Sequence, residues 1–132
     1  MKVIADTNLI IRVLTRDDPR QFELAARMLD DAEAVVFPIV SLCETDWVLT
    51  RTLKWPGPAV ARALRMLLAD PRVLTDRALV DRGLAMLDVD GDFADGVIAA
   101  DGRRFADATF ATFDQSAARL LEAQGLTVTL LR

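Results

Sequence analysis

The chain has 132 residues, of which 52% are hydrophobic, and its formal net charge is −4 at pH 7. This length suits one ordinary domain, so we predict a single domain over residues 1–132. The chain contains no histidine and only one cysteine, Cys43, which excludes histidine relays, an internal disulfide and the usual zinc sites. Acidic residues must therefore carry any catalytic chemistry.

The N-terminal residues and the hydropathy pattern bear on the location of the protein. Asp6 interrupts the apolar N-terminal stretch, and no window reaches the roughly 18 apolar residues of a membrane helix. We therefore expect a cytoplasmic protein with no membrane partner. The high hydrophobic content of so short a chain predicts that a partner or a second copy covers part of the surface, and we expect a homodimer.

Strands and helices alternate in the predicted order of elements. The strands are predicted at residues 2–5, 35–38, 72–75, 108–113 and 127–131. The first helix is predicted to follow Asp6, and the second to begin near Pro19. Five further helices are predicted, from Ser41 to Leu53, from Val60 to Leu68, from Leu79 to Leu87, from Asp92 to Ala100 and from Asp114 to Ala123. This alternation predicts a three-layer α/β/α sandwich around a mostly parallel five-stranded sheet.

Four acidic residues lie directly after predicted strands or near the starts of predicted helices: Asp6, Glu44, Asp95 and Asp114. In parallel sheets, sites lie at the carboxyl ends of the strands, so we expect these carboxylates to converge at one edge. Asp6 stands in an almost wholly apolar run, where an ionised carboxylate is costly unless a positive group meets it. Carboxylates gathered without nitrogen or sulfur ligands suit Mg²⁺ or Mn²⁺.

Each of these acids also has an ordinary structural explanation. Asp6 and Asp114 can cap the helices that follow them. Ser41 with Glu44 three residues later forms the pattern of a capping box. Asp92 and Asp95 stand in the first turn of a predicted helix, where negative charge complements the helix dipole. The residues taken singly leave both explanations open.

Four segments, in this order along the chain, resemble the signature segments of PIN-domain nucleases: VIADTNLI at 3–10, SLCE at 41–44, DFADGVIAA at 92–100 and TFD at 112–114. The length and order also resemble the VapC-type toxins of bacterial toxin–antitoxin pairs. The resemblance implies an endoribonuclease that depends on Mg²⁺ or Mn²⁺ and hydrolyses RNA with metal-activated water. It also implies a cognate antitoxin that binds and inhibits the enzyme.

The resemblance also implies roles for particular residues of this chain. The catalytic metal ligands would be Asp6, Glu44 and Asp95, with Asp114 as an outer or second-metal carboxylate. Three further residues match accessory positions of the family: Asn8, Asp92 and Thr112.

Two other functions fit the sequence less well than the nuclease does. An aspartyl-phosphate phosphatase would need an acid where Asn8 stands, and a non-catalytic interaction protein on the same fold would be expected to have lost some of the four acids. Six basic residues near the acids could follow an RNA backbone, although a solvated helix face explains each of them at least as well: Arg12, Arg16, Arg51, Lys54, Arg103 and Arg104. Trp47 and Trp55 could stack on bases, but packing in the core or at an interface is the favoured interpretation.

Overall fold

Five short strands alternate with seven α-helices in the computed structural model, which describes residues 1–132. The strands are β1 Lys2–Ile4, β2 Ala34–Val36, β3 Val73–Leu74, β4 Phe110–Thr112 and β5 Val128–Leu130. The helices are α1 Thr7–Thr15, α2 Pro19–Asp31, α3 Ile39–Trp47, α4 Gly57–Leu68, α5 Arg77–Asp88, α6 Phe93–Arg103 and α7 Gln115–Ala123, with a π-helical turn, Val48–Thr52, directly after α3.

The α/β class is confirmed, and every strand pairing is parallel. The five strands nevertheless form two sheets, β1–β2–β3 and β4–β5, instead of the one sheet predicted. Each strand is two or three residues long, so a pairing contributes only a few hydrogen bonds, and the longer apolar runs of the sequence do not reveal which strands pair. The three-layer arrangement and the single domain over 1–132 stay predictions.

The chain divides into two compact units. The first unit comprises residues 1–55 and 62–76, and the second comprises residues 56–61 and 77–132. None of the helices combines the length and the apolar character that crossing a membrane requires.

The first unit contains the three-stranded sheet β1–β2–β3 together with helices α1, α2 and α3. The parallel ladder continues past the strands, because the Ala5 N–H donates to the Val36 carbonyl and the Phe37 N–H donates to the Leu74 carbonyl, both at 2.9 Å. Helix α1 packs against α2 and α3. The largest fully buried side chains of this unit are Ile10, Phe37, Leu42, Leu49, Leu64 and Leu68. Because β1 and β2 are parallel and α3 follows β2, the end of β1 and the start of α3 lie at the same edge of the sheet.

Arg72 joins the end of α2 to β3 in the same unit. Its Nη1 donates to the carbonyl oxygens of Leu29, Asp30 and Ala32 at 2.9–3.1 Å, which satisfies acceptors that a helix end leaves without a partner. Its Nη2 donates to Asp70 Oδ2 at 2.7 Å. Hydrogen bonds from the Arg72 side chain and backbone lower the pKa of the Asp70 carboxyl to about 2.

In the second unit, α5 and α6 pack extensively against each other. They approach at two glycines, because a Cβ on Gly83 would stand 2.4 Å from the Phe93 ring and a Cβ on Gly96 would stand 2.5 Å from the Arg82 carbonyl oxygen. A second part of the core is made by helices α5, α6 and α7 with the residues around β4 and β5: Met86, Ala99, Leu121, Leu126, Phe110, Leu120 and Val128.

Most helix ends follow the signals in the sequence. Helix α2 begins at Pro19, with Asp18 Oδ1 accepting from the Gln21 N–H at 3.0 Å. Helix α7 covers the predicted residues, and Gly125 beyond it has φ +85°, the left-handed conformation that glycine adopts most easily at a helix end.

The prediction for α3 is wrong at its start, whereas helical structure ends at Thr52, close to the predicted end at Leu53. The helix begins at Ile39 with Pro38 at the N-cap, so Ser41 lies inside the first turn and caps nothing. At the other end, the α-helix gives way at Val48–Thr52 to the π-helical turn. The Thr50 hydroxyl donates to the Asp46 carbonyl at 2.8 Å, a side-chain bond that competes with the helical ladder at this point.

Candidate active site

Asp6 stands directly after β1 and forms the N-cap of α1. Its Oδ1 accepts a hydrogen bond from the Leu9 N–H at 2.9 Å, so the capping explanation is correct for this oxygen. The second oxygen, Oδ2, makes no hydrogen bond with the protein. The side chain is exposed, so the burial that its apolar neighbours predicted is wrong: β1 is a short strand at the edge of its sheet, and Ile4 is also 72% exposed.

Glu44 is the sixth residue of α3, about one and a half turns into the helix. The predicted capping box is therefore wrong, because the glutamate stands beyond the first turn, where no helix N–H lacks a partner. Its side chain is exposed and makes neither a hydrogen bond nor an ion pair with the protein. Since α1 packs on α3, Glu44 belongs to the same unit as Asp6 and has no local structural role.

Asp92 and Asp95 stand at the start of α6 in the second unit. Asp92 is the N-cap, and its Oδ1 accepts from the Ala94 N–H at 2.7 Å and from the Asp95 N–H at 3.4 Å. Asp95 lies in the first turn and is half-buried. The positive end of the helix dipole stabilises negative charge at both positions, so this part of the structural explanation holds.

Asp114 follows β4 and forms the N-cap of α7. Its Oδ1 accepts from the N–H groups of Ser116 and Ala117 at 2.9 and 3.0 Å, while Oδ2 makes no hydrogen bond with the protein. Thr112 has a definite part here, because its hydroxyl accepts from the Asp114 N–H at 3.0 Å and so orients the residue that carries the carboxylate. Both residues are in the second unit.

The acids are thus distributed over both units: Asp6 and Glu44 in the first, and Asp92, Asp95 and Asp114 in the second. Nowhere in residues 1–132 do three or more side chains of cysteine, aspartate or glutamate lie close enough together to hold a metal ion. The shared pocket for the four acids stays a prediction.

The donor chemistry of these residues fits a hard divalent cation. Asp6 and Asp114 each bind backbone N–H groups through one oxygen and keep the other for a ligand, so capping and metal binding are compatible roles. Glu44 keeps both oxygens. Ionised carboxylate oxygens without nitrogen or sulfur donors are the ligands that Mg²⁺ and Mn²⁺ prefer.

Two features near the acids were not predicted from the sequence. A groove of about 280 Å³ lies between α1 and α2, lined by Asn8, Leu9, Arg12, Gln21, Leu24, Ala25 and Met28. The spacing of Leu24 and Met28, four residues apart on α2 and 57% and 40% exposed, is the signal that could have indicated it. Asp46, two residues after Glu44, is only 1% exposed, and nothing in its local sequence distinguishes it from a surface acid.

An α/β protein with carboxylates after two of its parallel strands and at helix starts is the kind of frame that nucleases with an acidic metal site use. The model of the PIN domain matches residues 3–122, and the chain belongs to the PIN-domain family. PIN domains are generally nucleases, hydrolases that act on nucleic acid, and they generally use divalent metal ions such as Mg²⁺. A comparison with curated proteins found no match.

Proposed function

We propose that this protein is an endoribonuclease of the VapC type, dependent on Mg²⁺ or Mn²⁺ and acting as the toxin of a toxin–antitoxin pair. The observation that carries the proposal is that Glu44, an exposed carboxylate with no partner in the protein and no capping role, stands in one of the four segments that resemble the PIN-domain signature. Its position beyond the first turn removes the capping-box explanation for it. Family membership supplies the general class of nuclease, and the VapC assignment rests on the resemblance of the four segments.

In this proposal the acids act together as metal ligands. Asp6, Glu44 and Asp95 would hold the ion, and Asp114 would serve an outer or second-metal position. When bound, the ion lowers the pKa of a water molecule and polarises the phosphodiester for hydrolysis. Neutralisation by the cation also relieves the repulsion between like charges that gathered carboxylates suffer.

The surrounding residues position the ligands. The Leu9 N–H holds Oδ1 of Asp6, which limits the directions in which Oδ2 can point. The Thr112 hydroxyl holds the backbone of Asp114. Asp92, as the N-cap of α6, fixes the first turn that carries Asp95, and Asn8 lies exposed on α1 two residues after Asp6.

A protein antitoxin is the proposed partner, besides RNA and a second copy of the chain. The groove between α1 and α2 supports this proposal, because most of its lining side chains are apolar and it includes Asn8, two residues after Asp6. We expect apolar residues of the partner's C-terminal segment also to cover the region around Trp55. A basic side chain of that segment would pair with the carboxylates and compete with Mg²⁺.

The nuclease proposal is tested by comparing two glutamates of the first unit. Glu44→Gln removes one charge from the proposed site, whereas Glu23→Gln makes the same change on the exposed surface of α2, where the side chain also has no partner. With a labelled single-stranded RNA and Mg²⁺ or Mn²⁺, we expect Glu44→Gln to lower the cleavage rate by about 100-fold or more. Glu23→Gln should cleave like the wild type.

Two results would contradict the proposal. One is a Glu44→Gln variant that cleaves at the rate of the wild type. The other is cleavage that persists after all divalent metal has been removed with EDTA and does not increase when Mg²⁺ or Mn²⁺ is restored.

A further inference from the structure

The outer face of α3 and the π-helical turn carries an aromatic residue that the core does not use. Trp47 is 49% exposed, so the core packing that the sequence favoured as one alternative is wrong. It lies three residues after Glu44, a spacing that places neighbouring side chains on the same face of a helix. The indole therefore stands beside a proposed metal ligand, with half of its surface open to solvent.

A guanidinium group lies over the same indole. The Cζ atom of Arg51, in the π-helical turn, is 4.7 Å from the centre of the Trp47 ring. This is a cation–π arrangement, in which the guanidinium lies over one face of the indole and places positive charge beside a ring that is 49% exposed. The π-helical turn itself is a form of helix that occurs frequently at functional sites.

The charge of this part of the chain differs sharply from that of the whole protein. Segment 47–69 contains four basic residues and no acidic residue, whereas all 20 acids of this net-negative chain lie outside it. Lys54 follows the π-helical turn, is exposed and has φ +62°, a left-handed conformation in which glycine would be unstrained. The basic character of this segment is complementary to a polyanion.

We propose that Trp47 and Arg51 form a platform for single-stranded RNA, on which one base stacks against the indole while the guanidinium meets a neighbouring phosphate. The proposal rests on the proposed ribonuclease function and adds to it the residues that position the strand at Glu44. Aromatic rings flanked by cations are how proteins commonly bind unpaired nucleotides without reading their sequence. Lys54 supplies a second positive charge on the same segment.

The first experiment observes the stacked base directly. In a Trp55→Phe background, Trp47 is the only tryptophan, and its fluorescence is measured while an oligoadenylate of about 12 nucleotides is added in EDTA. We expect saturable quenching of the fluorescence. With a labelled oligoadenylate, Trp47→Ala should weaken binding by about 5- to 150-fold, and Trp47→Phe should restore most of the affinity.

The second experiment tests the phosphate contact. Arg51→Gln should reduce the slope of log affinity against log salt concentration by about 0.7, the value for one phosphate contact on a single strand. The matched control is Arg20→Gln, which removes an exposed arginine of α2 that has no partner in the protein and should leave the slope unchanged. Circular dichroism of every variant checks that the fold is intact.

Several results would overturn the platform. Unquenched fluorescence together with unchanged affinity in Trp47→Ala would do so. Another is a dimer in light scattering that Trp47→Ala converts to a monomer with unchanged affinity per chain, because a second copy would then cover this face.

The platform and the nuclease can fail separately. Glu44-dependent cleavage that Trp47→Ala leaves unchanged, in both KM and kcat, would overturn the platform alone. RNA binding with quenching but no cleavage in Mg²⁺ or Mn²⁺ would support the platform and count against the proposed nuclease.

Discussion

Two glycines of α6 should respond in opposite ways to the same added methyl group. Gly96 faces α5, and a Cβ there would stand 2.5 Å from the Arg82 carbonyl oxygen and 2.8 Å from Met86 Cγ. The oxygen belongs to the backbone of a packed helix and cannot rotate away, so α5 and α6 must move apart. A Cβ on Gly102, in the same helix, would meet nothing within 4 Å.

The expected magnitudes follow from these contacts. Overpacking costs about 1–3 kcal/mol, and the upper half of that range applies at Gly96 because the obstacle is backbone. The better helix propensity of alanine offsets about 1 kcal/mol of this cost. The free energy of unfolding of Gly96→Ala should therefore be ~1–2 kcal/mol lower than that of the wild type. Gly102→Ala keeps only the favourable contribution, reduced near the helix end, and should be stabilised by ~0.5–1 kcal/mol.

Urea unfolding followed by circular dichroism measures both free energies of unfolding under one condition. The two variants should differ by about 1.5–3 kcal/mol, which exceeds the uncertainty of the extrapolation for a domain of ordinary stability. Gly96→Ala equal to or more stable than Gly102→Ala would refute the argument, because it would mean that α5 and α6 do not approach at Gly96.

Three further predictions concern individual charged residues. Asp6→Asn should abolish RNA cleavage in a nuclease assay, and full activity would contradict this. Its melting temperature should be equal to or higher than that of the wild type, because asparagine caps a helix as well as aspartate does. Because the folded pKa of Asp70 is depressed from 3.8 to about 2, its ion pair with Arg72 stabilises the protein above pH 4 and this stability is lost as the pH falls toward 2. Asp70→Asn should therefore show a shallower loss of stability than the wild type in acid unfolding monitored across that window, and an equally steep loss would count against it. Lys54→Gly should raise the free energy of unfolding by up to about 1 kcal/mol in a urea titration, since it relieves the left-handed backbone, and a lower value would show that the lysine side chain stabilises the fold.

The sequence by itself determined the features whose signals lie within a few residues. Pro19 after Asp18 marked the start of α2, Asp92 and Asp114 marked the starts of α6 and α7, and Gly125 marked the end of α7. These signals are local, because a cap or a left-handed turn is decided by backbone groups within one helical turn. The alternation of strands and helices predicted the α/β class for a similar reason.

Only the tertiary structure decided which strands pair and which side chains face solvent. The apolar run around Asp6 predicted a buried carboxylate, yet the residue is exposed at the end of an edge strand. Ser41 and Glu44 matched a capping box, but α3 begins earlier, at Ile39, where the chain leaves the sheet after Pro38. The exposure of Trp47 depends likewise on how α3 packs against its neighbours. Strand pairing and exposure follow from contacts between residues far apart in the chain, and no local pattern records those contacts.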